Sequence, residues 1–140
     1  MSAPAPGGGA ARLAAAERLL VVLIALHSAG IGIALLGFPA WSAGFGGWGE
    51  AGPLFFLRQG GVFHLVVAFG YLQEHLRHRG VTLLVAAKSA ACLFLLGVTL
   101  AGESAWSVPL SGLADGAMAV AALLVHRARR RAERLSSATG

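Results

Sequence analysis

The chain has 140 residues, enough for one domain, and is 56% hydrophobic and 12% charged, with a mean hydropathy of +0.72. Soluble domains carry about twice that share of charged residues, and the apolar residues here lie in long runs, so an ordinary soluble core is excluded. The formal charge of +5 comes mostly from arginines at the ends of those runs, not from a basic face interleaved with aromatics, which excludes a nucleic-acid partner. With Cys92 the only cysteine, an internal disulfide, a CxxC redox pair and a thiolate metal cage are excluded too.

Residues 1–11 are Pro, Gly and Ala without pattern and read as a disordered tail. Residues 12–127 read as an all-α, integral membrane four-helix bundle. Arg12 to Arg18 form a short amphipathic lead-in. The apolar run from Leu19 to Phe38 matches the roughly 20 residues that a helix needs to cross a bilayer. Ser28-Ala29-Gly30 resembles a signal-peptidase site, but the run continues beyond it through Ile31 to Leu36, which favours a retained helix.

Pro39 stops that helix, and Trp41, Phe45 and Trp48 follow among glycines as a loop at interfacial depth. A second spanning helix is expected over 54–73, and Glu74 to Gly80 reads as a short polar turn. Glu74, His75 and His78 in that turn read as an interfacial polar belt, and no metal site is predicted. A third helix is expected over 81–101. After a turn holding Glu103 and Trp106, Pro109 suits the first turn of a fourth helix over 109–126. Residues 128–140 read as a basic cytoplasmic tail that touches anionic lipid and frays from Leu135.

Arg12, Arg18, Arg77, Arg79 and the arginines at 127, 129, 130, 131 and 134 belong to the N-terminus, the middle turn and the C-terminus. The two remaining loops hold Glu50 and Glu103, with only Arg58 nearby. By the positive-inside rule this predicts an up-down-up-down bundle with both termini cytoplasmic.

Depth is informative. At 1.5 Å per residue, His27, His64 and Lys88 lie about 12–13 Å from the cytoplasmic ends of helices one, two and three, and Asp115 lies about 16 Å up helix four. Each helix thus contributes one ionisable residue to a slab near the midplane. Arg58 and Gln59 lie about 20 Å up, at the outer rim. An ionisable group at midplane costs about 2.5–3.5 kcal/mol on insertion scales, so each is expected to face the interior and find a partner. Lys88 and Asp115, the only lysine and the only aspartate, form the natural pair; Arg58 is a rival partner for Asp115, and Lys88 can instead snorkel toward the interface. His27 and His64 read as hydrogen-bonded packing, as a proton relay, as a hydrogen bond to a quinone carbonyl, or as the two axial ligands of a b-type haem. Gly112 and Gly116 flank Asp115 in a GxxxG spacing that marks close helix approach, within the bundle or between protomers. Cys92 reads as packing.

With Arg58-Gln59-Gly60-Gly61 opening the second helix, Lys88 in the third and Asp115 in the fourth, the outline resembles the small DoxX-like bacterial membrane proteins over most of residues 19–126. That resemblance implies a membrane redox context, since some members are associated with thiosulfate oxidation coupled to quinone, and it carries no catalytic residue over. No Ser/His/Asp triad, phosphate loop or pair of catalytic carboxylates can be assembled. The expected function is therefore a non-catalytic auxiliary or assembly subunit of a larger membrane complex. The alternative is an oligomeric small-solute or proton transporter, which needs a homo-oligomer because four helices enclose little space.

Overall fold

A computed structural model describes residues 8–50, 52–103 and 105–138. All of the secondary structure among them is helical: α1 (Gly8–Gly37), α2 (Pro39–Gly46), α3 (Leu54–His78), α4 (Thr82–Leu100) and α5 (Ser107–Ala138). The four long helices are each long and apolar enough to cross a membrane. Large apolar side chains cover the outside: Leu93, Phe94 and Leu100 are 74%, 67% and 90% exposed, and α1 and α3 present Leu19, Leu26, Ile33, Phe63 and Phe69 in the same way. In water such a surface would aggregate; hydrocarbon is the solvent it suits.

Several boundaries differ from the sequence expectation. Residues 1–7 of the expected tail lie outside the described residues, while Gly8 to Ala11 already form the first turn of α1. The aromatic stretch after Pro39 is not a loop: Pro39, with no N–H to leave unpaired, starts the short helix α2, and Gly47 at φ 87 ends it. The polar segment from Glu74 to His78 is the last turn of α3, with Arg79 as its left-handed cap. Its helicity has a local cause, because the Glu74 carboxylate reaches forward and accepts the Thr82 and Leu83 N–H groups at 2.9 and 2.8 Å. A side chain from the last turns of α3 thereby caps the start of α4. Finally, α5 does not stop near His126 and its end does not fray at Leu135; it stays helical to Ala138 because Arg129, one turn past His126, is held inside the protein.

Consecutive long helices pack as neighbours, α1 on α3, α3 on α4 and α4 on α5, and α5 closes the ring on α1. The α1–α3 crossing is set by two glycines. A Cβ on Gly61 would lie 2.7 Å from the Gly32 carbonyl oxygen, and a Cβ on Gly32 would lie 2.8 Å from that of Gly61. Backbone meets backbone there, and no rotamer change can relieve a larger residue. Gly61→Ala is expected to cost about 1–3 kcal/mol in the unfolding of purified protein, as overpacking does, whereas Gly30→Ala, with no atom within 4 Å of the new methyl, should be neutral or slightly stabilising. Equal melting temperatures for the two variants would refute that crossing.

At the α2 end, the Trp41 and Phe45 rings stack at 5.2 Å, Trp106 meets Phe45 edge-on at 5.5 Å, and the Trp106 indole N–H donates to the Phe45 carbonyl at 2.9 Å. Gly47 is required twice over: its φ is positive, and a Cβ would lie 2.8 Å from the Trp106 ring. This aromatic clasp ties α2 to the start of α5.

Candidate functional site

The inward faces of the helices carry the polar groups, and their spacing explains why. On α5 the buried positions are Val108, Gly112, Asp115, Ala119, Ala122 and Arg129, the three-and-four repeat of a helix stripe pressed against neighbours. On α4 the buried positions are Leu84 and Lys88, directly below buried Val81. A Cβ at Gly112 would lie 3.2 Å from Leu95 Cβ and one at Gly116 2.8 Å from Cys92 Sγ, so the GxxxG pair brings α5 against α4 within the bundle. That close approach lets the short Asp115 side chain meet Lys88. Lys88 Nζ donates to Asp115 Oδ1 at 2.5 Å, with the two residues 3% and 8% exposed. Lys88 therefore turns inward and does not snorkel.

A cavity of about 170 Å³ lies beside this pair. Lys88 and Asp115 line it together with Ser28 of α1 and His64 and Tyr71 of α3, and it reaches the outer surface at exposed Phe63. Ser28 is wholly buried, and its Oγ has no hydrogen-bond partner in the protein. Leaving a buried hydroxyl unpaired costs about 1–3 kcal/mol, so the cavity offers a bound molecule a polar contact that the protein itself leaves open. Ammonium, carboxylate, imidazole, hydroxyl and phenol thus converge on one small space, a set able to donate to and accept from a compact polar head.

Of the residues singled out in the sequence, His64, Lys88 and Asp115 come together here. His27 does not. It is exposed on α1, while its neighbour Ser28 takes the inward position, because successive residues point about 100° apart around a helix. Two axial histidines are therefore not presented to a common cavity, and the residues present do not fit a bis-histidine haem. Arg58 and Gln59 are exposed near the start of α3 and do not line the cavity, and Asp115 is engaged by Lys88 and not by Arg58. Among the described residues, no group of three or more His, Cys, Asp or Glu is arranged to hold a metal ion.

A second polar cluster escaped the sequence reading. Glu17 is fully buried. Its Oε2 accepts Arg129 Nε at 2.6 Å, and its Oε1 lies 3.1 Å from His126 Nδ1 and 3.6 Å from His75 Nδ1. Arg129, 3% exposed, also donates to Glu133 at 3.1 Å and to the Arg79 carbonyl at 2.9 Å. Arg129 is thus no lipid-facing member of a basic tail; it fastens α5 to α1 and to the α3–α4 turn. A signal was present, since Glu17 continues the buried stripe of Val21, Ile24, Ser28 and Gly32, and Arg129 continues that of Asp115 and Ala122.

No family model matches this chain, and no curated protein or solved structure resembles it closely enough to carry an argument.

Proposed function

We propose that the four long helices cross a bacterial inner membrane up-down-up-down with both termini cytoplasmic, and that the chain is a non-catalytic auxiliary subunit of a membrane redox complex. The orientation is supported by the arginine distribution, and by the meeting of Glu17, His75, Arg79 and Arg129 at one end while α2 and the start of α5 meet through Trp106 at the other. The DoxX-like pattern of Arg58, Lys88 and Asp115 supports the redox context. The observation that carries the reading is the unpaired Ser28 hydroxyl in a cavity shared with Lys88, Asp115, His64 and Tyr71 and reaching the lipid-facing surface. A lipophilic molecule with a hydrogen-bonding head, the quinone class, suits such a place: it enters from lipid and offers a carbonyl to the Ser28 hydroxyl, which has no acceptor in the protein.

Purification of the full chain from native membranes in mild detergent tests this. Quinone and a redox protein are expected to be retained, and Ser28→Ala is expected to weaken quinone retention about tenfold, the effect of one lost buried hydrogen bond. Finding neither quinone nor a redox partner would defeat the proposal. Ion or solute flux in liposomes that vanishes in Lys88→Leu and Asp115→Asn variants would favour the transporter reading in its place.

A further inference from the structure

A second cavity, of about 410 Å³, lies apart from the one beside Lys88. It lies at the opposite end of the inward stripe, between the start of α1 and the end of α3. Three guanidinium-bearing residues line it, Arg18, Arg79 and Arg129, together with His75, and its remaining wall is the apolar surface of Leu76 and two alanines of α1. The charges are not equivalent. Arg129 is consumed by Glu17 and Glu133, whose carboxylates are themselves occupied by it. Arg18 and Arg79 are both exposed, and neither belongs to a salt bridge among the described residues. The other acid nearby in sequence, Glu74, is turned away to cap α4. His75 directs its Nδ1 toward Glu17 Oε1 at 3.6 Å, so it belongs to the Glu17 cluster and is not counted among the pocket's open groups. The pocket therefore has excess positive charge and two free planar forks.

The backbone at this point is also unusual. Arg79 is the one non-glycine residue among those described with positive φ, at 50°. An L-residue is disfavoured in that region, and glycine is the usual occupant of such a helix cap. Here the conformation is fastened from both sides, by the Arg79 N–H donating to the His75 carbonyl at 2.9 Å and by Arg129 donating to the Arg79 carbonyl. Glycine would meet the backbone requirement with less strain, so the guanidinium is the feature that glycine could not supply.

We infer that this pocket binds the phosphate of a net-negative compound, not of a zwitterion whose own cation neutralises it, with Arg18 and Arg79 as the two clamping side chains and Leu76 with the α1 alanines receiving the attached apolar chain. Planar guanidinium groups pair bidentately with phosphate oxygens, and basic pockets between membrane helices on the cytoplasmic side are suited to anionic headgroups. Arg18 and Arg79 each sit where an apolar run ends, the level at which phospholipid phosphates lie. The site is separate from the Ser28 cavity, and it stands or falls independently of what binds there.

The test uses the full chain in nanodiscs of phosphatidylcholine carrying a minor fraction of phosphatidylglycerol, with retained lipid read by native mass spectrometry. The paired variant is Arg18→Gln with Arg79→Gly; glycine accepts the positive φ and keeps the carbonyl that Arg129 needs, so the fold is preserved. The control is Arg12→Gln with Arg77→Gln, which removes the same charge from two exposed arginines that do not line the pocket and lie outside the basic C-terminal segment. The expected result is selective retention of phosphatidylglycerol, lowered at least tenfold in the pocket variant and unchanged in the control. A parallel titration of lipid-free protein with inorganic phosphate identifies the source. Binding of phosphate, lost in the pocket variant, without lipid selectivity would assign the same site to a soluble phosphate compound. Equal losses in pocket variant and control, or equal retention of phosphatidylcholine, would overturn the inference.

Discussion

Asp115→Leu is expected to destabilise the protein by about 3–5 kcal/mol, and Asp115→Leu combined with Lys88→Leu by clearly less. The single change strands an ammonium that is 3% exposed, in a place where the remaining neighbours are a hydroxyl, an imidazole and a phenol. The double change removes both charges and leaves two aliphatic side chains that α4 and α5 can pack. A buried ion pair need not stabilise relative to an apolar pair of similar volume, because desolvation offsets the attraction; breaking it from one side is what costs. Reversible unfolding of the purified chain, single variants against double, checks this. A double variant less stable than Asp115→Leu would show that the two charges do not compensate each other.

Glu17→Leu should be of similar severity, again about 3–5 kcal/mol, because it leaves Arg129 buried with only Glu133 and a carbonyl to satisfy it. Glu17→Gln keeps an acceptor for the guanidinium and should lie between wild type and Glu17→Leu. Adding Arg129→Met to Glu17→Leu should recover part of the loss. The effect is also expected to have a location: with Arg129 released, the part of α5 beyond His126 loses its attachment to α1 and to Arg79, so proteolysis should begin there. Glu17→Leu melting with Glu17→Gln, and no new cleavage after His126, would refute this role.

The difference between these two pairs shows what the sequence makes legible. Four apolar runs of spanning length and arginines at their ends are properties of composition along the chain, and they can be read without knowing where a side chain points. Lys88 and Asp115 stand out in the same way, since the chain has one of each. Depth counting adds a level for each residue but no azimuth. His27 and Ser28 share a level, yet one is exposed and the other is fully buried, and only the buried stripe of Val21, Ile24 and Gly32 decides between them. Glu17 was obscured for a related reason. Its position between Arg12 and Arg18 made it part of a polar lead-in, although it lies one turn below Val21 on the inward stripe. Helix phase, extended past the end of each apolar run, is the information that would have found it. The helicity of Pro39 to Gly46 and of Glu74 to His78 depends on contacts and caps formed only on folding, the Trp106 clasp and the forward reach of Glu74.

Asp115 and Arg129 lie fourteen positions apart on the same stripe of α5, about 21 Å along its axis. Each is bolted to a different helix, Asp115 to α4 and Arg129 to α1. Two such rivets fix both the height and the rotation of α5: a slide of one turn or a twist of one residue would unseat both charges together. Piston or screw motions of this helix are thereby forbidden at any modest energy. On the proposed reading, breathing that admits a molecule to the Ser28 cavity is expected on the opposite side of the ring, where α3 leans on α4 and no buried ion pair joins them among the described residues. In this barrel α5 is the fixed stave, and the seam beside Phe63 is the one with no such rivet across it.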